Sequence, residues 1–153
     1  MSIEARLAEL GLTLPEPAKP VASYVPTVRT GNLVFCSGQL PFLKGQLLAI
    51  GPVPTAVDIP TAQAAARQSV LNGLAALRAE LGGDLSKLVR VVRIGVFVQS
   101  VDGFKEQPQV GNGASDLLVE ILGDHGKHAR TSVSVNALPL NASVEVEFLF
   151  EVA

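Results

Sequence analysis

The stretch LVRVVRIGVFVQ, residues 88–99, decides the fold. It alternates or runs apolar with β-branched residues throughout, which predicts a central strand. On both sides the period changes. Upstream, Ala66, Val70, Leu74, Leu77 and Leu81 recur at helical spacing, with Asp58 as a cap, Pro60 in the first turn and Gly82-Gly83 as the stop. Downstream, Val110, Ala114, Leu117, Leu118 and Ile121 predict a second helix that closes near Gly123. Two such amphipathic helices must cover one face of a sheet, giving a two-layer α+β domain.

The flanks supply the remaining strands. YVPTVRTG and NLVFCSGQLP form two short strands around the Gly31-Asn32 turn, with Pro26 demoting the first to an edge or a late start. QLLAI reads as another short strand, followed by a glycine- and proline-containing loop from 51 to 60. At the far end, ARTSVSVNA and SVEVEFLFEV are two strands joined by a turn around Pro139 and Asn141, expected as an antiparallel hairpin. In the last strand Val144, Val146, Phe148, Phe150 and Val152 share one face, with Glu145, Glu147 and Glu151 on the other. The sheet face away from the helices is expected to carry Arg130, serines and glutamates, wet in a monomer and covered in an oligomer. Residues 2–10 predict a short helix ended by Gly11, and LPEPAKP an extended connector.

Hydrophobic residues make up 48% and charged residues 17%, which argues against disorder and favours self-association to cover surface. The net charge is −2, and Lys87, Arg90 and Arg93 are too scattered to form a nucleic-acid footprint. No uninterrupted apolar run is long enough to span a membrane. The start, MSIEARLAEL, is charged and amphipathic and lacks the pattern of a signal peptide. Cys36 is the one cysteine, so no internal disulfide forms; it lies in the apolar run LVFCSG and reads as a buried, inert thiol. A cytoplasmic protein is expected.

Common catalytic signatures are absent: no P-loop, no G-x-G-x-x-G, no nucleophile elbow, no cysteine pair. His125 and His128 are three apart in the loop-like GDHGKHA, with no third ligand, so no metal site is expected. What remains is Arg130, opening a strand on the face it shares with Ser132 and Ser134. In the expected hairpin, Glu145 and Glu147 come near Ser134 and Ser132. Two readings stay open: a cross-strand ion pair worth little, or an arginine that grips a carboxylate bidentately beside a glutamate that positions water.

SGQLP after an apolar strand, AR before an alternating strand, and LP followed by VEVEF near the end together resemble the YjgF/RidA family of reactive-intermediate deaminases. AARQSVLNGLAAL and VVRIGVFVQSVDGF follow the family's pattern as well. The resemblance covers residues 22–153, leaving 1–21 as an N-terminal helix and proline-rich extension, similar to a bacterial subgroup. It implies a chorismate-mutase-like fold with a mixed sheet, two helices on one face, and a homotrimer whose ligand sites lie in clefts between subunits. Carried over by residue, Arg130 binds the substrate carboxylate and Glu145 helps to position the hydrolytic water. Ser132, where many members have cysteine, contributes its backbone carbonyl. Tyr24, Ser37, Gly38 and Asn112 line the site, and His128 is placed to touch a ligand held at Arg130.

The implied reaction is hydrolysis of 2-imino or enamine acids such as 2-aminoacrylate to 2-keto acids and ammonia. Such substrates are unstable, so orientation and a placed water do more than a strong nucleophile, and no cofactor is implied. One departure stands beside the key arginine: deaminating members usually have proline before AR, where this chain has His128 before Ala129. Two other functions compete. One is non-catalytic or regulatory binding of a small carboxylate on the same trimer. The other is an endoribonuclease or translation-inhibitor role, against which the acidic balance weighs.

Overall fold

The long strand of residues Leu88–Gln99 lies inside a five-stranded sheet in the computed structural model, which describes residues 1–19 and 23–153. In chain order the elements are α1 (Ile3–Glu9), β1 (Thr27–Thr30), β2 (Leu33–Gln39), β3 (Phe42–Leu43), β4 (Gln46–Leu47), α2 (Ile59–Glu80), β5 (Leu88–Gln99), α3 (Gln107–Leu122), β6 (Ala129–Val135) and β7 (Val144–Val152). The sheet order is β1-β2-β7-β5-β6, while β3 and β4 form a separate small hairpin. QLLAI therefore contributes only the two residues of β4 to a strand. Ile50 makes an isolated bridge to Ala142.

All neighbours in the main sheet are antiparallel except β5 and β6, which run parallel. Parallel neighbours need a crossover, and α3 supplies it. The expected hairpin of the last two strands does not form: β7 inserts between β2 and β5, leaving β6 to pair with β5 alone. Burial explains the exchange. Val144, Val146, Phe148, Phe150 and Val152 of β7 are all at or below 4% exposure, which a central position under both helices provides. The serine- and threonine-rich β6 takes the edge, where one flank stays open.

Both long helices pack on one face. Asp58 accepts from the Thr61 amide at 2.9 Å to cap α2, with Pro60 in its first turn. Gly73 lets α2 approach the sheet: a Cβ there would come within 2.5 Å of the Phe148 ring. Gly113 on α3 would likewise meet the Gln63 backbone of α2, so the two helices cross at close range.

The N-terminal segment is tied down. Ser2 Oγ caps α1 through the Ala5 amide, Arg6 Nε donates to the Glu120 carbonyl on α3, and Leu7 and Leu14 join the core. The expected boundary between residues 21 and 22 lies outside the described residues. No helix among the described residues is long and apolar enough to cross a membrane.

The other sheet face is open and mixed. Val28, Phe35 and Val133 are exposed there beside Glu145 and Glu147. Its cross-strand ion pair joins Arg93 Nη1 to Glu147 Oε1 at 3.3 Å, and Arg93 Nη2 donates to Thr131 Oγ1 at 3.3 Å. Arg130 and the serines are not on this face, contrary to expectation.

Candidate active site

Register places Arg130. It pairs with Ile94, and Ile94 pairs with Phe148, so all three side chains point to the helix layer. At the sheet edge that layer is α3. Arg130 Nη1 donates to Asn112 Oδ1 at 2.9 Å and to Ser115 Oγ at 3.1 Å. Gly111 makes room: a Cβ on it would lie 2.6 Å from Ser132 Oγ and 3.1 Å from Arg130 Nη1. Among the described residues, hydrogen bonds engage only Nη1 of the guanidinium, so Nη2 and Nε keep donors for a ligand.

His128 sits behind this arrangement rather than in front of it. Its Nδ1 meets the Gly126 carbonyl, which can only accept, so the neutral ring carries its proton there. Nε2 is then an acceptor, 2.9 Å from Ser115 Oγ. Protons are donated in one direction, from Arg130 to Ser115, from Ser115 to His128, and from His128 to Gly126. Burial pushes the imidazole below its usual value, the Gly126 carbonyl opposes this, and the Arg130 charge adds to the lowering.

The backbone of β6 offers further groups. The Val135 carbonyl accepts from Ser100 on the β5 side at 3.2 Å. Carbonyls alternate along a strand, so those of Arg130, Ser132 and Ser134 point to the unpaired edge. Ser132 Oγ is buried and has no hydrogen-bond partner among the described residues. Ser134 Oγ is held by Ser100 Oγ at 2.7 Å and Gln107 Nε2 at 2.8 Å.

Glu145 belongs to a second cluster. It pairs with Phe97, three residues along β5 from Ile94, and therefore points to the open face. Its carboxylate rests on Gly38, where the β2–β7 register shifts; a Cβ there would overlap Oε1. Burial pushes this carboxyl above the usual range, and the charge of Glu147 adds to the rise. Ser37 anchors the same strand end, its Oγ donating to the Val25 carbonyl at 2.8 Å and its amide to Pro26. Tyr24, 60% exposed, stands nearby along a cavity that Gly38 also lines.

The sequence residues thus divide. Arg130, Ser132, Asn112 and His128 gather between β6 and α3; Glu145, Gly38, Ser37 and Tyr24 gather around the end of β2. One chain does not bring the arginine beside the glutamate. The proximity expected from a β6–β7 hairpin fails with that hairpin, because Arg130 and Glu145 lie on opposite faces. The two histidines form no metal cluster: among the described residues, no group of three or more histidine, cysteine or acidic side chains could hold an ion.

The cavity has a volume of about 670 Å³ and lies between the N-terminal connector, residues 13–19, and the β3–β4 hairpin. Asn72 on α2 fixes the hairpin by donating to the carbonyls of Leu40 and Phe42, each at 3.0 Å. Cys36, close by on β2, is shut in on the helix side, and burial pushes its thiol up to about 12.

The sequence profile of the YjgF/chorismate mutase-like endoribonuclease family matches residues 4–152. The chain belongs to this family. Protein TCP17 of Trypanosoma cruzi is 41% identical over 150 residues, 97% of this chain and 93% of that protein. The solved structure of Atu1372 from Agrobacterium tumefaciens, a protein of unknown function, is 47% identical; the match covers 99% of this chain and 92% of that one, with a TM-score of 0.93. A 2-iminobutanoate/2-iminopropanoate deaminase from Dermatophagoides farinae is 26% identical over 137 residues, 89% of this chain and 91% of that one.

Within this YjgF-family chain, sequence reasoning missed Ser115, Gln107 and the residues of the connector. Ser115 lies mid-helix, and nothing in its type announces a bridge. Gly111 and Gly113 gave the available signal, since glycine inside a helix costs roughly 1 kcal/mol relative to alanine and two in three residues mark close approach. One faces Arg130 and the other faces α2.

Proposed function

We propose that the protein hydrolyses 2-imino or enamine acids to 2-keto acids and ammonia, at sites that two neighbouring chains of a homotrimer complete. The observation that carries this reading is the braced Arg130, whose Nη1 is held by Asn112 and Ser115 while the rest of its fork is left for a carboxylate. The similarity to an imine deaminase supports the choice of reaction. The open sheet face, with exposed Val28, Phe35 and Val133, supports assembly.

In this reading one chain binds and its neighbour activates. Arg130 holds the substrate carboxylate, and the outward carbonyl of Ser132 accepts from the imine nitrogen. The neighbouring chain presents Glu145 to a water at the imine carbon. Oxygen bonds to that carbon, the C=N electron pair moves to nitrogen, and Glu145 takes the water's proton. Glu145 returns that proton to the nitrogen to give the carbinolamine, which then collapses. The C–N bond breaks as the hydroxyl oxygen forms C=O, the hydroxyl proton passes to the leaving nitrogen, and ammonia departs from the keto acid. A half-buried glutamate with a raised pKa suits the step, because its basicity moves toward working pH. Tyr24, Ser37 and Gly38 shape the wall beside that carboxylate.

The test is ammonia release from 2-iminopropanoate and 2-iminobutanoate generated in situ, with wild type and Arg130→Ala, the fold checked by circular dichroism. Wild-type acceleration above buffer, lost in Arg130→Ala, supports hydrolysis. If neither exceeds buffer while only wild type binds 2-keto acids, the protein is a carboxylate binder. If the two hydrolyse equally, Arg130 has no part in the reaction.

A further inference from the structure

The cavity at the end of β2 is far larger than a three-carbon acid requires. Its volume of about 670 Å³ lies within the range of roughly 300–1,000 Å³ typical of pockets for larger ligands. Phe42, Leu43 and Tyr24 line it and remain 37%, 39% and 60% exposed, an apolar surface open to a ligand. Leu14 and Pro15 supply the opposite wall.

That wall is built, although it belongs to a connector. Leu14 is only 8% exposed, and the Leu12 amide donates to the Leu7 carbonyl at 2.8 Å, pinning the chain to the buried end of α1. Pro15 and Pro17 stiffen the connector beyond that anchor. The β3–β4 side is held by Asn72 through the two hydrogen bonds that its Nδ2 donates. Gly38 is common to the cavity and to the Glu145 carboxylate, so the cavity begins beside the group that would handle water.

We infer that this cavity receives the side chain of the substrate, and that the preferred substrates are 2-imino acids with long aliphatic or aromatic side chains. The inference rests on the imine-hydrolase reading above. Its occupant is set by the lining: apolar side chains, among them Leu14, Leu40, Phe42 and Leu43, predominate over Glu16, Lys19 and Lys44, and Gly38 forms the junction with the acid-handling end. The N-terminal segment would then set specificity, because it provides one wall.

The experiment compares imines generated in situ from alanine, leucine and phenylalanine, and binding of pyruvate and phenylpyruvate by calorimetry. Wild type is set against Ala18→Trp, an exposed position on the cavity wall whose enlargement fills the space without touching the core. Wild type should favour the leucine and phenylalanine imines by at least about tenfold in kcat/KM, as expected where a pocket reads added methylenes. Ala18→Trp should lose that preference and keep the alanine imine. Equal rates for all three imines in wild type, or an equal loss for all in Ala18→Trp, would overturn the inference and leave imine hydrolysis standing. No hydrolysis of any imine, with phenylpyruvate binding that Ala18→Trp abolishes, supports the cavity and removes the hydrolase reading. Failure to bind phenylpyruvate more tightly than pyruvate, in a protein that hydrolyses none, overturns both.

Discussion

Arg130 and Glu145 face opposite sides of one sheet: Arg130 lies in the row of Ile94 and Phe148, Glu145 in the row of Phe97. No side-chain rotation joins them within a chain, so a site that holds both draws on two. Mixing Arg130→Ala chains with Glu145→Gln chains, after dissociation and reassembly, should therefore raise activity above that of either variant alone. In a closed ring of head-to-tail contacts with random mixing, about a quarter of sites contain both wild-type groups. Imine hydrolysis by the mixture at or below the level of the single variants would show that the pair does not act across chains.

Replacing Arg130 by lysine should cost nearly as much as replacing it by alanine. A lysine has one nitrogen, which cannot serve Asn112, Ser115 and a carboxylate in the same plane. The expected loss is about 2–4 kcal/mol of transition-state stabilisation, on the order of 10²-fold in kcat/KM. Steady-state kinetics of Arg130→Lys with the fold verified decide the matter, and near wild-type values would mean that charge alone suffices.

Glu145→Gln should slow turnover yet raise stability in neutral solution. Burial lifts the folded-state pKa of Glu145, with Glu147 adding repulsion, so folding favours the protonated form. That contribution is full below the ordinary glutamate value and is lost as pH rises through the raised one. The variant should melt higher than wild type at about pH 8 and alike at about pH 4, below the usual glutamate value. Thermal denaturation at the two pH values measures the crossover.

Ser115→Ala should raise KM by roughly tenfold with little change in kcat, the size of one lost hydrogen bond that orients another group. His128 enters through stability. Its folded pKa is lowered, mainly by burial, so the unfolded chain binds the proton more readily. Stability should therefore fall as pH drops below the ordinary histidine value of about 6.5 and level off once the folded ring is charged too. His128→Gln should flatten that limb of a pH–stability profile; an unchanged slope would assign it to another group.

Cys36 should resist thiol reagents in the native protein. Its thiol is buried on the helix side of β2 and raised to about 12 by that burial, which leaves very little thiolate at neutral pH. Labelling should track global unfolding, and Cys36→Ser should retain imine hydrolysis.

Much of the architecture was legible because β5, α2, α3 and β7 each carry a strong period. The alternation of β7 marked its buried face residue by residue, and Asp58, Pro60 and Gly82-Gly83 marked the ends of α2. Pairing was not legible in the same way. Proximity in sequence suggested that β6 and β7 join, and the contrary signal, apolar β7 against serine-rich β6, becomes decisive only when strands compete for the centre of a sheet. The site showed the same division. Arg130 was visible as a cation in an alternating strand, whereas its side of the sheet depended on that pairing. Ser115 needed His128 and Arg130 brought together before a helical serine acquired meaning.

The unpaired flank of β6 also bears on solubility. From Thr131 to Val135 the edge strand contains only threonine, serine and valine, residues that pair readily with another strand. Arg130 is the charge at its start, and charge is what commonly keeps such edges from zipping together. Its guanidinium is held against Asn112 and Ser115 under α3, so from Thr131 to Val135 the flank carries no charge of its own and is open to pairing with a strand of another chain.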